Sequence, residues 1–206
     1  MGRQVALAVC TLAIFLLGSW SAQSASQAAV DAPLGKAYFA GGCFWCMEEA
    51  FEKVEGVLSA TSGYMGGTVA NPSYEAVSAG RTGHAESVEV VYDPAKVSYQ
   101  KLLDAFWHNV DPVTANAQFC DHGSQYRSAI FFQTDEEKRA SDASKQAIEQ
   151  SKRFNEPIVT QIVMASQFYP AEEYHQDYYK KNPVRYKFYK YNCGRAKRLE
   201  ALWGNP

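Results

Sequence analysis

Neither sign of charge dominates this chain: 20 Lys and Arg stand against 22 Asp and Glu, a net of −2 with histidines neutral. That balance disfavours a globally basic nucleic-acid binder, whose affinity rests on cationic surface. No apolar run reaches the ~20 residues that carry a helix across a bilayer. No internal repeat occurs, and no linker interrupts the chain after residue 35, so one domain with a real core is expected. Close cysteine pairs are scarce too. Of the 5 cysteines, Cys43 and Cys46 form a C-x-x-C, while Cys120 and Cys193 are isolated. A structural zinc site needs a second close pair, which argues against metal. Aromatic residues are the exception, at 14% with 13 Tyr. Tyrosines join apolar faces to polar tips, so some are expected to line a site while most pack.

The N-terminus has the layout of an export signal. Arg3 is the only charge before an apolar run at 5–18, and small polar residues follow at 19–29. Cleavage after Ser24 would leave Ala22 and Ser24 at the −3 and −1 positions. Residues 1–24 therefore read as a signal peptide, 25–35 as a flexible leader and 36–206 as the folded domain. A retained anchor is the alternative. Cys10 lies inside the apolar run behind Val9, the wrong place for lipid attachment. Removing 1–24 leaves 19 basic against 22 acidic side chains, a net of about −3. An exported, periplasmic or otherwise extracytoplasmic protein is expected.

Periodicity and turn residues predict strands at 36–40, 57–64, 85–92, 125–133 and 158–165. Helices are predicted at 43–54, 98–109 and 135–154, with Ser98 as a cap and Glu48 and Glu49 towards solvent. Residues 70–81 read as loop with one helical turn. The order strand–helix–strand–strand–helix–strand implies an α/β (α+β) two-layer sandwich around a ferredoxin-like core. Beyond Gln167 the chain is aromatic, basic and aperiodic, and a long irregular C-terminal tail is expected.

The chemistry concentrates in a few short segments. A cysteine that opens a helix after Gly41-Gly42 faces free N–H groups at the positive end of the helix dipole, which lowers a thiol pKa. Cys43 fits that position, and Cys46 lies three residues on along the same face, within reach of a local disulfide. Glu86, in Gly-His-Ala-Glu at a strand start, reads either as a solvated acid or as a buried acid kept protonated to donate a proton. His84 beside it reads as a packed or solvated histidine. Asn71-Pro72-Ser73-Tyr74 and the loop from Asp121 through Tyr126 are ordinary turns by composition.

The segments GGCFWCMEEAF, SGYMGG, NPSY, TGHAESVEVVYDP, LLDAFWHNVDP, DHGSQYRSAIFF and FYPAEEYHQDYY together resemble A-type peptide methionine sulfoxide reductases, in order and spacing. The resemblance runs from Lys36 to Trp203, and the combination is highly specific. It implies that Cys43 is the nucleophile for the sulfoxide sulfur and that Phe44 and Trp45 cradle the substrate methyl. It further implies that Glu86 is the general acid, that Tyr74 and Tyr126 hold the sulfoxide oxygen, and that Asp121 supports them. Preference for the S epimer of methionine sulfoxide, free or in oxidised proteins, follows from the same source.

A sulfenic acid on Cys43 would need a second thiol. Cys193 and Cys46 are the leading candidates and Cys120 the third. A thioredoxin-like donor would then reduce the disulfide, with no metal or organic cofactor and no nucleic acid, in a monomer. Two other classes compete. One is a thioredoxin-like disulfide oxidoreductase, resting on C-x-x-C alone. The other is a single-strand nucleic-acid module using the basic, aromatic segment 179–198.

Overall fold

Strand β1 (Gly35–Gly41) is buried most deeply at its C-terminal half, where it delivers the chain to helix α1 (Phe44–Glu52). The computed structural model describes residues 33–204; the expected signal peptide and nearly all of the leader lie outside the described residues. Strand β2 (Val57–Met65) and β3 (Ala85–Tyr92) follow, separated by the short helix α2 (Tyr74–Ser78). Helix α3 (Tyr99–Trp107) then leads, through the two-residue strands β4 (Ala117–Gln118) and β5 (Asp121–His122) and a 3-10 turn at Ser124–Tyr126, to β6 (Ser128–Phe132).

In the main sheet β6 pairs with β1, β1 with β3 and β3 with β2, all antiparallel. With α1 after β1 and α3 after β3, this is the expected ferredoxin-like unit. Phe39 on β1 stacks on Phe51 of α1 at 4.8 Å and on Phe106 of α3 at 5.3 Å. Both helices therefore cover one face of the sheet, and the core lies between them and it. Each such buried aromatic contributes roughly 1.5–3 kcal/mol of transfer free energy. Ser98 caps α3 by accepting from the Lys101 N–H at 3.2 Å, as its place before the apolar periodicity predicted.

Helix α4 (Asp135–Gln150) is the crossover to β7 (Gln161–Met164), which adds parallel to β6. At the opposite edge the two-residue β8 (Tyr169–Pro170) pairs with β2.

Three expectations need correction. The C-terminal segment is not irregular: α5 (Tyr178–Lys181), α6 (Pro183–Asn192) and α7 (Arg195–Trp203) occupy it. Gln125 and Tyr126 lie in the 3-10 turn, outside the strand, because Gly123 at φ 128° bends the chain just before them. Glu48 does not face solvent. It is 1% exposed, accepts from Ser62 Oγ and from the Asp177 N–H at 2.7 Å each, and is covered by the C-terminal segment. Burial pushes its pKa up to about 7.

Candidate active site

The site is built where β1 turns into α1. Gly42 has φ +79°, a conformation glycine adopts without cost, and a Cβ there would overlap Gln118 Cβ. The turn places Cys43 at the N-cap of α1, where its carbonyl accepts from the N–H groups of Cys46 and Met47. The N–H of Phe44, which has no partner within the helix, donates to Glu86 Oε2 at 3.0 Å. A strand residue of β3 is thus fastened to the first turn of α1.

Cys43 and Glu86 both face a small cavity of about 70 Å³. Phe44 and Trp45 form its apolar wall, and Tyr74, Tyr126 and Asp121 its polar one. The wall is held by neighbours. The Trp45 Nε1–H donates to His175 Nδ1 at 3.1 Å, and its ring stacks on Tyr178 at 3.9 Å. Glu172 accepts from the Tyr74 N–H at 2.9 Å and from the Tyr64 hydroxyl at 2.8 Å, tying α2 to β2. His84 is structural: its ring accepts from the Gly67 N–H at 3.0 Å and reaches the Val69 carbonyl at 2.8 Å.

Glu86 is 3% exposed, and burial pushes its pKa up to about 8, against the favourable Phe44 N–H and with Asp121 nearby. It is therefore protonated at neutral pH and able to donate. Burial also raises Asp121. Tyr74 is pushed up to about 12 by burial and by Glu86, so it stays a donor.

The thiols depart from the expectation that Cys43 would ionise easily. Burial, then the hydrogen bond with Cys46, raises the Cys43 pKa well above its ordinary value. Cys46 is lowered to about 6, first by the hydrogen bond from Cys43, then by Arg195, Tyr186 and Lys190 against its burial. The two thiols titrate as one coupled pair, with Cys43 pushed up and Cys46 pushed down. Burial and the neighbouring Cys46 outweigh the helix dipole at Cys43.

The resolving candidates are not equivalent. Cys46 sits beside Cys43 in one buried cluster with Tyr186. Cys120 and Cys193 are joined in a disulfide with Cα atoms 4.9 Å apart, so neither holds a free thiol. The sequence reading missed Tyr189, Tyr186 and Arg195, which the C-terminal helices bring to the thiols. It also gave no separate role to His175 and Glu172, although both stand in the FYPAEEYHQDYY segment. In 179–198, Lys180 pairs with Glu52 and Lys190 with Glu49, and Tyr186 is buried, so part of this basic, aromatic segment packs against α1.

A buried thiol and a buried carboxylic acid share one cavity too small for a whole residue, the arrangement of a thiol-dependent oxidoreductase acting on a small oxidised group. Residues 35–206 match the family described as "Peptide methionine sulfoxide reductase", and the chain belongs to that family. It is 48% identical over 170 residues to the "Peptide methionine sulfoxide reductase MsrA" of Listeria welshimeri, covering 82% of this chain and 96% of the relative. Methionine sulfoxide reductase A of Corynebacterium diphtheriae is similar in structure, with a TM-score of 0.65 and 32% identity over 75% of this chain and 78% of the other. Reduced Mxr1 from Saccharomyces cerevisiae gives a TM-score of 0.69 and 33% identity over 74% and 88%. Mxr1 has also been solved in complex with Trx2, a structure 24% identical to this chain with a TM-score of 0.51, covering 72% and 86%. The chain reduces methionine sulfoxide with thiols. The thioredoxin-like alternative falls with the ferredoxin-like sheet and the family match.

Proposed function

We propose that Cys43 attacks the sulfoxide sulfur while Glu86 protonates the oxygen, and that Cys46 is both the base for Cys43 and the thiol that resolves it. The observation that carries this reading is the buried Glu86, its pKa pushed up to about 8, lining the same cavity as Cys43. As the Cys43 sulfur attacks, its proton passes to the Cys46 thiolate and the Glu86 proton to the sulfoxide oxygen. Tyr74, Tyr126 and Asp121 stabilise the charge that collects on that oxygen. The oxygen passes from the substrate sulfur to the Cys43 sulfur, the old sulfur–oxygen bond and the transient sulfur–sulfur bond break, methionine leaves, and Cys43 is left as a sulfenic acid. Cys46 then attacks the Cys43 sulfur and releases water. Two thiols become a disulfide, one sulfoxide becomes a thioether, and the Glu86 proton returns from solvent.

The cavity takes only the methyl sulfoxide tip, so free methionine sulfoxide and oxidised proteins are both substrates. Exchanging methyl and oxygen would press the methyl on the acid and the oxygen on the rings, which supports choice of one epimer; membership of the A-type group points to S. A thioredoxin-like dithiol would reduce the Cys43–Cys46 disulfide, a reading supported by the Trx2 complex of Mxr1. The basic start and apolar run at 1–24 support export, and a disulfide such as Cys120–Cys193 persists in an oxidising compartment. We take the working form to be a monomer.

Single-turnover reduction of both epimers of a methionine sulfoxide peptide, by the chain reduced beforehand and without added reductant, tests the reading. The expected result is about one equivalent of the S epimer converted, the R epimer untouched, and Cys43 bridged to Cys46 by peptide mapping. Cys43→Ser should abolish turnover; surviving activity would move the nucleophile elsewhere.

A further inference from the structure

The basic, aromatic segment 179–198 is only partly taken up by the fold. On α6, Tyr186 and Lys190 turn inward and both meet Glu49 of α1. Val184, Phe188 and Tyr191 stand on the other side of that helix at i, i+4 and i+7, in one row along it. They are 83%, 71% and 85% exposed, so no element of the fold covers them. Arg185 and Lys187 flank the row on either side and are exposed as well. Lys180, Lys181 and Lys190 are paired with acids from elsewhere in the chain, whereas Arg185 and Lys187 make no ion pair among the described residues. From Tyr178 to Leu199 the sequence carries eight Lys and Arg and no acid, although the chain as a whole stands at −2. An uncovered apolar row with a cationic rim is thus local to this one helix.

We infer that this face of α6 docks on the surface of an anionic lipid bilayer, with Val184, Phe188 and Tyr191 set among the headgroups and Arg185 and Lys187 against the lipid phosphates. A helix that lies in the interface plane needs an apolar face with cations at its edges, and a tyrosine suits the boundary because its ring is apolar and its tip polar. Charge decides against a second copy as the occupant, since pairing two such faces would bring Arg185 and Lys187 of both copies together with no acid between them. Shape decides against a single nucleic-acid strand, which takes flat rings for its bases. Val184 offers none, and the row is apolar along its whole length. The inference does not depend on which sulfur attacks the substrate. Its consequence lies in the class of substrate served. Tyr189 of the same helix lines the cavity, so docking carries the site to oxidised methionines of proteins held at that surface.

The experiment is a footprint of the full chain with a water-soluble acylating reagent, read lysine by lysine. It is run without vesicles, with vesicles of phosphatidylcholine alone, and with vesicles in which about a third of the lipid is phosphatidylglycerol. On the anionic vesicles, acylation of Lys187 should fall about fivefold or more, while Lys138 on α4 reacts as before. Phosphatidylcholine alone should protect Lys187 little, and about 1 M salt should weaken the protection. Replacing the apolar row by Val184→Ser with Phe188→Ser should abolish it and leave single-turnover activity on a soluble peptide unchanged. The footprint is local to α6, so a hold on the vesicle through the apolar run at 5–18 does not imitate it. Equal acylation with and without anionic vesicles would overturn the inference, as would protection that survives the serine pair. Protection by a single-stranded oligonucleotide and not by vesicles would overturn it in favour of nucleic acid. Protection in the free chain that grows with its own concentration would overturn it in favour of a second copy.

Discussion

Glu86 and Cys46 carry pKa values displaced in opposite directions, about 8 and about 6, and the window between them sets the working pH. Glu86 must be protonated to donate, so the single-turnover rate should fall as pH rises through about 8. Cys46 must be ionised to accept the Cys43 proton, so the rate should fall as pH drops through about 6. A bell between those limbs is the expected profile, its two apparent values belonging to the coupled site and not to single residues. Glu86→Gln should remove the upper limb and slow the reductase step by about 10²-fold. Stopped-flow rates across pH 5–10 check both; an unchanged rate in Glu86→Gln would remove its acid role. The resemblance identified Cys43, Glu86, Tyr74 and Tyr126, and those side chains do share the cavity. The ionisation of the thiols was not legible, because it depends on their burial and mutual contact and on Arg195, Tyr186 and Lys190, which only the fold brings to Cys46.

At the scale of elements, the decisive piece is the turn that aims α1. Gly42 is followed at once by Cys43, so a shift of that backbone moves the sulfur. Gly42→Ala would force a side chain into φ +79° and against Gln118, whose amide is itself bonded to the main chain of Asp111 at 2.6 Å and 2.8 Å. The expected cost is about 2 kcal/mol or more, from the left-handed conformation and the overlap together. Urea unfolding should show it as a lower midpoint with an unchanged slope, accompanied by loss of single-turnover activity. The glycine pair was a readable signal for this turn. Helix α6 was not readable, and its composition explains why. Val184, Phe188 and Tyr191 are exposed while Tyr186 is buried and Tyr189 half-buried, so apolar residues occur all round the helix and no single stripe emerges. The short edge strand β8 was missed because two residues carry no period.

Across the whole molecule, the antiparallel ferredoxin-like frame was legible because its strands alternate or carry buried runs between glycine turns, and its helices keep a 3.6-residue period. The packing of the C-terminal helices onto that frame was not, since it rests on contacts of long sequence separation such as Tyr186 to Glu49 at 2.6 Å. The Cys120–Cys193 disulfide closes a separation of 73 residues between the cavity rim and those helices. Constraining so long a loop in the unfolded chain stabilises the fold by about 2–4 kcal/mol. A Cys120→Ser, Cys193→Ser double variant should therefore lose about that much in denaturant unfolding. It should still form the Cys43–Cys46 disulfide in single turnover, because the proposed resolving thiol, Cys46, lies on α1. Mapping a sulfenic acid that persists on Cys43 in the double variant would instead assign resolution to Cys120 or Cys193, and would make the disulfide seen here the last stage of the reaction instead of a staple.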